Sequence, residues 1–294
     1  MVPYTLDGDP ILQRYARRLE ADADNFRVLR RLPSIEEMWC APTPPAGPDI
    51  VLGVVDIETT GLGDDAKVIE IAVTKIALVD GQLASIAPPL TMLEDPGEPL
   101  SDEISKITGI TDADLAGHRF DEERLAQELA DVDALVAFNA KFDGPHLQRR
   151  FAGLRHHWIC ARLDYDWKAA GYEGRSQSAL LNDAGLFYEA HRAAVDAWAL
   201  AILISLPASD GRTIASHMVD RARTIQTRIA ATNAPYRVKD DLKARGYRWD
   251  VRQRVWTADV EQDDVPTELE FLLDLHPQIR PTLTKVDWFN RHTE

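Results

Sequence analysis

The run DIVLGVVDIE at 49–58 constrains this chain more than any other stretch of it. Its aliphatic density reads as a β-strand. It ends in Asp56 and Glu58, two residues apart. Side chains of a strand alternate faces, so both carboxylates point the same way at the strand's C-terminal end. A turn signal, TTGLGDD, follows at once, and Gly61 within it lets the backbone approach a ligand closely. Hard divalent cations prefer oxygen ligands and often take only one or two carboxylates plus a substrate phosphate. A D-x-E pair can equally be a solvated strand end, so its meaning depends on what the rest of the chain supplies.

The neighbouring segments predict an α/β arrangement. KVIEIAVTKIALVDGQLASIAPPL (67–90) reads as two strands joined through Asp80-Gly81, a hairpin signal. Helices are expected over 101–107 and 122–131, a buried strand at 133–140, a helix opening at 140, and two helices between Ser176 and Leu206. Strands first and helices after point to an antiparallel meander leading into α/β structure. Ahead of this lies 10–32, with apolar residues at helical spacing and six arginines, read as one or two short helices packed on the main domain. APTPPAGPD (41–49) has four prolines and reads as a linker. The boundaries expected are thus an extension and linker at 1–49, a main domain at 50–210 and a smaller C-terminal module at 211–294.

The chain has 294 residues, 45% of them hydrophobic, enough for a buried core. No apolar run approaches the roughly 20 residues that span a bilayer, and the N-terminal stretch lacks the pattern of a signal peptide. Cys40 and Cys160 fit neither a disulfide framework nor a paired-cysteine metal motif. The expected setting is cytoplasmic, with no membrane partner. Net charge is −15, which argues against a general nucleic-acid binder but not against an enzyme that recruits cations to carboxylates.

Two more acidic elements follow. FNAKFD (138–143) places Asp143 after a buried strand and just inside a helix, where a first-turn aspartate also suits the helix dipole. HRAAVD (191–196) suits His191 on a loop or first turn with Asp196 one turn deeper, both facing one site. Each alone is weak. Together, D-x-E, N-x-x-x-D and H-x-x-x-x-D in this order resemble the three-motif signature of the DEDDh 3′→5′ exonucleases, typified by the proofreading (epsilon) subunit of bacterial DNA polymerase III. ISKITGIT (104–111) is similar to that family's helix–turn gripping the 3′-terminal nucleotide. RSQSALLNDAGLFYEAHRAAVDAWAL (175–200) resembles its approach to the third motif, and the likeness covers roughly 50–207.

The resemblance implies a ribonuclease-H-like fold, a mixed five-stranded sheet flanked by helices. It implies two Mg²⁺ or Mn²⁺ ions, with Asp56, Glu58 and Asp196 on the first, Asp56 bridging, and Asp143 on the second through water. His191 would be the general base, accepting the proton of the attacking water at neutral pH. Thr59, Thr60 and Gly61 would contact the terminal nucleotide, Ile107 and Thr108 would wedge against it, and Phe138, Asn139 and Phe142 would line the groove. For Ile107 and the phenylalanines, core packing is the competing reading. The expected partner is single-stranded or frayed 3′-ended nucleic acid, DNA ahead of RNA, with a polymerase or repair protein as a further candidate. A role as a replisome or repair adaptor is the alternative of another class, which a complete acidic set disfavours.

The stretch from Asn233 to Ala258 holds 7 bases and 3 acids, interleaved with Tyr236, Tyr247, Trp249 and Trp256. Aromatics among arginines suit single-strand binding, which makes Arg245, Arg248, Trp249, Arg252 and Arg254 candidate accessory contacts. The competing reading makes the tryptophans the core of a small hairpin. K-D-x-L-K-x-R-G-Y-R-W also resembles an accessory domain found after some bacterial epsilon-like exonucleases.

Overall fold

The computed structural model describes residues 10–35 and 47–292. Cys40 and most of the proline-rich stretch expected as a linker lie outside them. The described residues form two compact units, the first ending at Arg221 and the second running Ala222–His292.

The first unit is built around β2. Its chain runs α1 (Pro10–Glu20), β1 (Arg30–Arg31), β2 (Ile50–Thr59), β3 (Val68–Val79), β4 (Gln82–Ile86) and β5 (Leu90–Leu93). Three short helices follow, α2 (Asp102–Thr108), α3 (Asp112–Leu115) and α4 (Glu122–Glu128). Then come β6 (Ala134–Ala137), α5 (Ala140–Arg150), β7 (His157–Cys160), α6 (Gln177–Asp183), β8 (Leu186–Phe187), α7 (Ala193–Ser205) and α8 (Ile214–Arg223). The sheet order is β4-β3-β2-β6-β7, with β5 also on β3. Strands β4 and β5 pair with successive halves of the long β3, so six strands occupy five positions. β3 is antiparallel to β2, whereas β6 and β7 run parallel, which makes the sheet mixed. This is the helix-flanked mixed sheet expected from the sequence. The β3–β4 turn has Asp80 at φ 51° and Gly81 at φ 73°, the paired left-handed geometry of a two-residue hairpin turn.

The two faces of β2 meet different helices. Val51, Val55 and Ile57 join a core with Leu135, Ala140, Leu147 and Trp158, on the side of α5. Asp56 pairs with Ala72 across the sheet, and Ala72 packs against Ala193 and Ala197 of α7. These small side chains let α7 lie close to the sheet, and its other sides are buried through Trp198, Leu200, Leu203 and Ile204.

One expected element is corrected. Val28, Leu29 and Leu32 were read as helical, yet Arg30–Arg31 forms a short strand parallel to β8. Arg30 N donates to Gly185 O at 2.9 Å and Leu32 N to Phe187 O at 2.7 Å. Pairing with a distant strand satisfied the backbone better than one isolated helical turn could. The arginines here tie the extension down: Arg27 reaches Asn182 O at 2.5 Å, and Arg31 pairs with Glu189 at 3.1 Å.

The second unit runs β9 (Gln226–Thr232), α9 (Lys239–Ala244), β10 (Arg248–Asp250), β11 (Val255–Glu261), α10 (Val265–Leu275) and β12 (Arg280–Val286). Its strands order as β10-β11-β9-β12, all antiparallel. Of these elements β9, α10 and β12 were not expected from the sequence. Ile229, Ala231, Leu242, Tyr247, Leu272 and Ile279 fill its core.

Gly174 supports the approach to α6, donating its N–H to Asp183 at 2.7 Å. A Cβ there would lie 2.7 Å from the carbonyl carbon of Ala179 and 2.8 Å from Leu180 N, backbone that cannot yield cheaply. Gly174→Ala should therefore cost about 1–3 kcal/mol by overpacking. Gly61→Ala, whose Cβ would meet nothing within 4 Å, should leave thermal unfolding almost unchanged. Denaturant titration of both variants checks this.

Candidate active site

Asp56 and Glu58 leave the same face of β2, and α7 carries Asp196 over that face. Carboxylate oxygens of the three all lie within 4.8 Å of one another. Asp143, in the first turn of α5, is buried, and the backbone at Ile57 and at its own position favours its charged form. It therefore sits beside the same strand end. Its charge and that of Asp196 both act on Asp56. Three of the four acids singled out in the sequence thus form one cluster, and Asp143 lies near enough to act on Asp56.

A second set of residues holds them there. Tyr188 donates its hydroxyl to Asp196 Oδ1 at 2.7 Å, and the N–H groups of His191 and Arg192 reach Oδ2 at 2.7 and 3.1 Å. Gln177 Nε2 bridges Tyr188 Oη and Asp196 O, both at 2.9 Å. Glu70, completely buried on β3, is the direct cross-strand neighbour of Glu58. Its carboxylate accepts from Arg192 Nε at 3.2 Å, Arg192 Nη2 at 2.9 Å and Ala193 N at 3.0 Å. The acid thus caps α7 from the sheet and pins the arginine that offsets two like charges placed side by side. His191 lies on the loop before α7, exposed, with φ at 76°. A left-handed histidine is sterically disfavoured, and such strain concentrates at functional sites.

The electrostatics follow from burial. Desolvation pushes Asp56 well above the usual carboxylate range, and Asp143, Asp196, Glu58 and Glu70 push it further. Burial and then Asp196 and Glu70 raise Glu58 to about 7, with Arg192 opposing. Asp143 rises through burial, against the opposing backbone at its own position and at Ile57. Asp196 rises through burial, against the hydrogen bonds of Tyr188 and of the His191 and Arg192 amides. An all-oxygen, mutually repelling, partly buried donor set is what a hard divalent cation takes, so the residues present fit a metal site.

Other candidates are placed less uniformly. Thr59 is buried and donates to Gly61 O at 2.5 Å, while Thr60 Oγ1 accepts from Lys67 N at 3.0 Å. They shape the turn after β2 and leave Leu62 89% exposed beside Gly61. Thr108 is buried, its hydroxyl donating to Ile104 O at 2.9 Å and accepting from Ile110 N at 3.1 Å. This hydroxyl is spent on closing α2, whereas Ile107 is 46% exposed. Asn139 is the half-buried N-cap of α5, and its side chain makes no capping bond. Phe138 is half-buried, and Phe142 packs partly into the core and against the His146 ring.

In the second unit, Arg245 is bound to Glu268 at 3.1 Å and stacked on Phe271. Tyr247 is buried and Trp256 packs on the unit's core, so neither is presented for stacking. Trp249 remains half-exposed. The sequence reading missed Glu70, Gln177, Tyr188 and Arg192. Glu70 had a signal, an acid inside VIEIAV where every neighbour is apolar. Tyr188 and Gln177 act through tertiary contacts that no local pattern announces.

A mixed sheet in this order carries two acids at the end of its central strand, with a third brought over them by α7, a cluster suited to a divalent cation. The chain matches the RNase_T exonuclease family over residues 54–204, more than half its length, and belongs to that family. It is thus an exonuclease enzyme. Among solved structures it is similar to Exonuclease X in complex with 5′-overhanging duplex DNA, with 24% identity, 56% of this chain and 99% of that one covered, and a TM-score of 0.42. It is also similar to a 3′-exonuclease in 3′-end-specific recognition of a histone mRNA stem-loop, with 14% identity, 67% and 74% coverage, and a TM-score of 0.42. A search of curated proteins finds no match. No helix among the described residues is long and apolar enough to cross a membrane.

The raised carboxylates give stability a definite sign. In the metal-free protein they bind protons that the unfolded chain has already released, so stability is highest below the raised pKa values. It falls as pH climbs from the ordinary carboxylate range through about 7, the value for Glu58. Metal-free protein should therefore melt higher at about pH 5.5 than at about pH 8. Divalent cations should raise the melting temperature more at the higher pH, where the acids are free of protons. Thermal shift at both pH values, with EDTA and with Mn²⁺, measures this.

Proposed function

We propose that this exonuclease removes nucleoside 5′-monophosphates from the 3′ ends of DNA with two divalent cations, Mg²⁺ or Mn²⁺, held by Asp56, Glu58, Asp143 and Asp196. The observation that carries the reading is the convergence of the Asp56, Glu58 and Asp196 oxygens within 4.8 Å, with Asp143 against the same strand end. When bound, the cations would neutralise charge on the phosphate and on the attacking and leaving oxygens of an in-line displacement. The protein's share is positioning. Tyr188, the two amide donors and Gln177 fix one rotamer of Asp196, so the cluster needs little reorganisation during reaction.

His191 is the general base. Its ring stands on an exposed loop whose amide is tied to Asp196, and an imidazole nitrogen takes the proton of the attacking water. The left-handed backbone keeps this residue at the rim instead of letting α7 begin one turn earlier. Leu62 and Ile107, exposed apolar side chains following β2 and on α2, supply the surface for the terminal base. Thr108 supports Ile107 by closing the helix. The same chemistry on RNA or short oligonucleotides is the competing reading, since nothing in the motifs reads the 2′-hydroxyl. A repair or proofreading role, like that of the epsilon subunits the sequence resembles, is the setting that fits.

Cleavage of 3′-labelled single-stranded DNA should need Mg²⁺ or Mn²⁺ and stop with EDTA. Asp56→Ala should lower turnover by orders of magnitude while retaining the fold. His191→Asn, which tolerates the left-handed backbone, should keep substrate affinity and lose about 10²–10⁴-fold in turnover. Rates on single-stranded DNA, duplex DNA and RNA measured side by side check the substrate class. Full activity in excess EDTA would sink the reading, and faster turnover on RNA would move the substrate.

A further inference from the structure

The second unit alternates β-α-β-β-α-β, with strand order β12-β9-β11-β10. Cross-strand partners share a face. Ile229, Ala231, Trp256 and Ala258 pack in the core with Val238 and Leu242 and so face the helices. The opposite face presents Arg228, Ala230, Thr257 and Asp259 on the central strands. Four-stranded sheets that read single-stranded RNA carry stacking aromatics at such positions. Here there are none, and Arg228 is closed on Asp259 at 2.7 and 3.0 Å. The open face lacks the chemistry for bases.

The β10–β11 hairpin has it. Most bases of α9 and its flanks are already engaged: Lys239 over the Tyr236 ring, Lys243 over Trp256, Arg245 with Glu268 and Phe271, and Arg237 with His276. Arg248 and Arg254 make no salt bridge among the described residues, and Arg252 stands between them in the turn. Residues 251–254 are all exposed. The one acid of this stretch, Asp250, is used locally, its Oδ1 accepting from Gln253 N at 2.8 Å. Arg254 closes the turn at φ 53°, a conformation that glycine or asparagine adopts more easily. A guanidinium is kept there against backbone preference. On β10, Trp249 pairs with Trp256 and shares its face, standing edge-on at 5.5 Å and 47% exposed, while Arg248 pairs with Thr257 on the opposite face.

We infer that this hairpin, Arg248–Arg254, binds single-stranded nucleic acid independently of the catalytic acids. Its arginines neutralise phosphates and Trp249 stacks on one base, the combination by which strands are held without sequence preference. A chain of net charge −15 repels a polyanion over most of its surface, so a local cationic and aromatic contact is what retention of a strand requires. The inference rests on the nuclease reading only for the class of polymer.

The test uses the full chain in excess EDTA, with a fluorescein-labelled oligothymidylate of about 16 nucleotides, the upper site size of a single small domain. Anisotropy is followed from about 50 to 200 mM salt. Replacing Arg248, Arg252 and Arg254 together with Ala should weaken binding at least about tenfold and flatten the log–log salt slope by about 2, near 0.7 per lost contact. Trp249→Leu should weaken binding on the order of tenfold at unchanged slope, and Trp249→Phe should restore it. Arg254→Gly separates binding from folding: it should raise the melting temperature and lower affinity. A dinucleotide assayed with Mn²⁺ should be cleaved equally by wild type and hairpin variants. Its complete resistance in wild type would instead count against the exonuclease reading alone. Equal affinity and slope in wild type and triple variant would overturn the inference and favour a protein-docking hairpin. Undiminished binding by the stabilised Arg254→Gly variant, or loss of dinucleotide turnover in the triple variant, would also overturn it.

Discussion

Mutual repulsion among partly buried carboxylates is the constraint around which the first unit is organised. Asp56 carries the most of it, being desolvated and facing Asp143, Asp196, Glu58 and Glu70 together. Nothing within a single strand could hold such a cluster. The sheet does so by pairing β3 along the length of β2 and β6 along Leu52–Val54, so Asp56 and Glu58 are held in register by the β3 ladder. The contact of Ala72 with Ala193 and Ala197 then sets the height of α7 above that ladder. Larger residues at those three places would lift Asp196 away from β2 and relax the repulsion that makes the cluster receptive to cations.

The support around the acids shows how the strain is contained. Glu70 would worsen the charge problem if it were free, since it lies directly opposite Glu58. Instead its carboxylate takes three N–H donors from Arg192 and Ala193 and becomes the cap of α7. One buried acid thereby anchors the helix that carries another. Asp196 is likewise held by donors from Tyr188, His191 and Arg192, which lower its pKa against the effect of burial. The loop bearing His191 thus cannot move without disturbing Asp196, which couples the two residues through backbone and not through side-chain packing.

Much of this was readable before the fold was known, and the reasons differ by residue. Asp56 and Glu58 were legible as a same-face pair because strand alternation is a strict rule, whereas Asp143 and Asp196 gained meaning only from the joint resemblance of the three motifs. Asp80-Gly81 announced its turn through the backbone conformations those residues tolerate. Glu70, Tyr188 and Gln177 were not legible as functional, since each acts through a partner that only tertiary folding supplies. Val28, Leu29 and Leu32 misled because three apolar residues over five positions cannot distinguish a helical turn from a strand that pairs with Leu186–Phe187. In the second unit, β9 escaped notice because its alanines are weak strand signals until β11 and β12 pair on either side. The interleaved aromatics left a stacking and a hairpin-core reading open, and Tyr247 and Trp256 pack with the core.

The central claim is that the four carboxylates form a two-cation site. Manganese-soaked crystals of the protein with a nucleoside 5′-monophosphate, measured for anomalous scattering at the manganese edge, address it directly. The account predicts two peaks enclosed by Asp56, Glu58, Asp143 and Asp196, both lost in Asp56→Ala. Ordered carboxylates with no peak between them, or manganese bound only elsewhere on the chain, would contradict it.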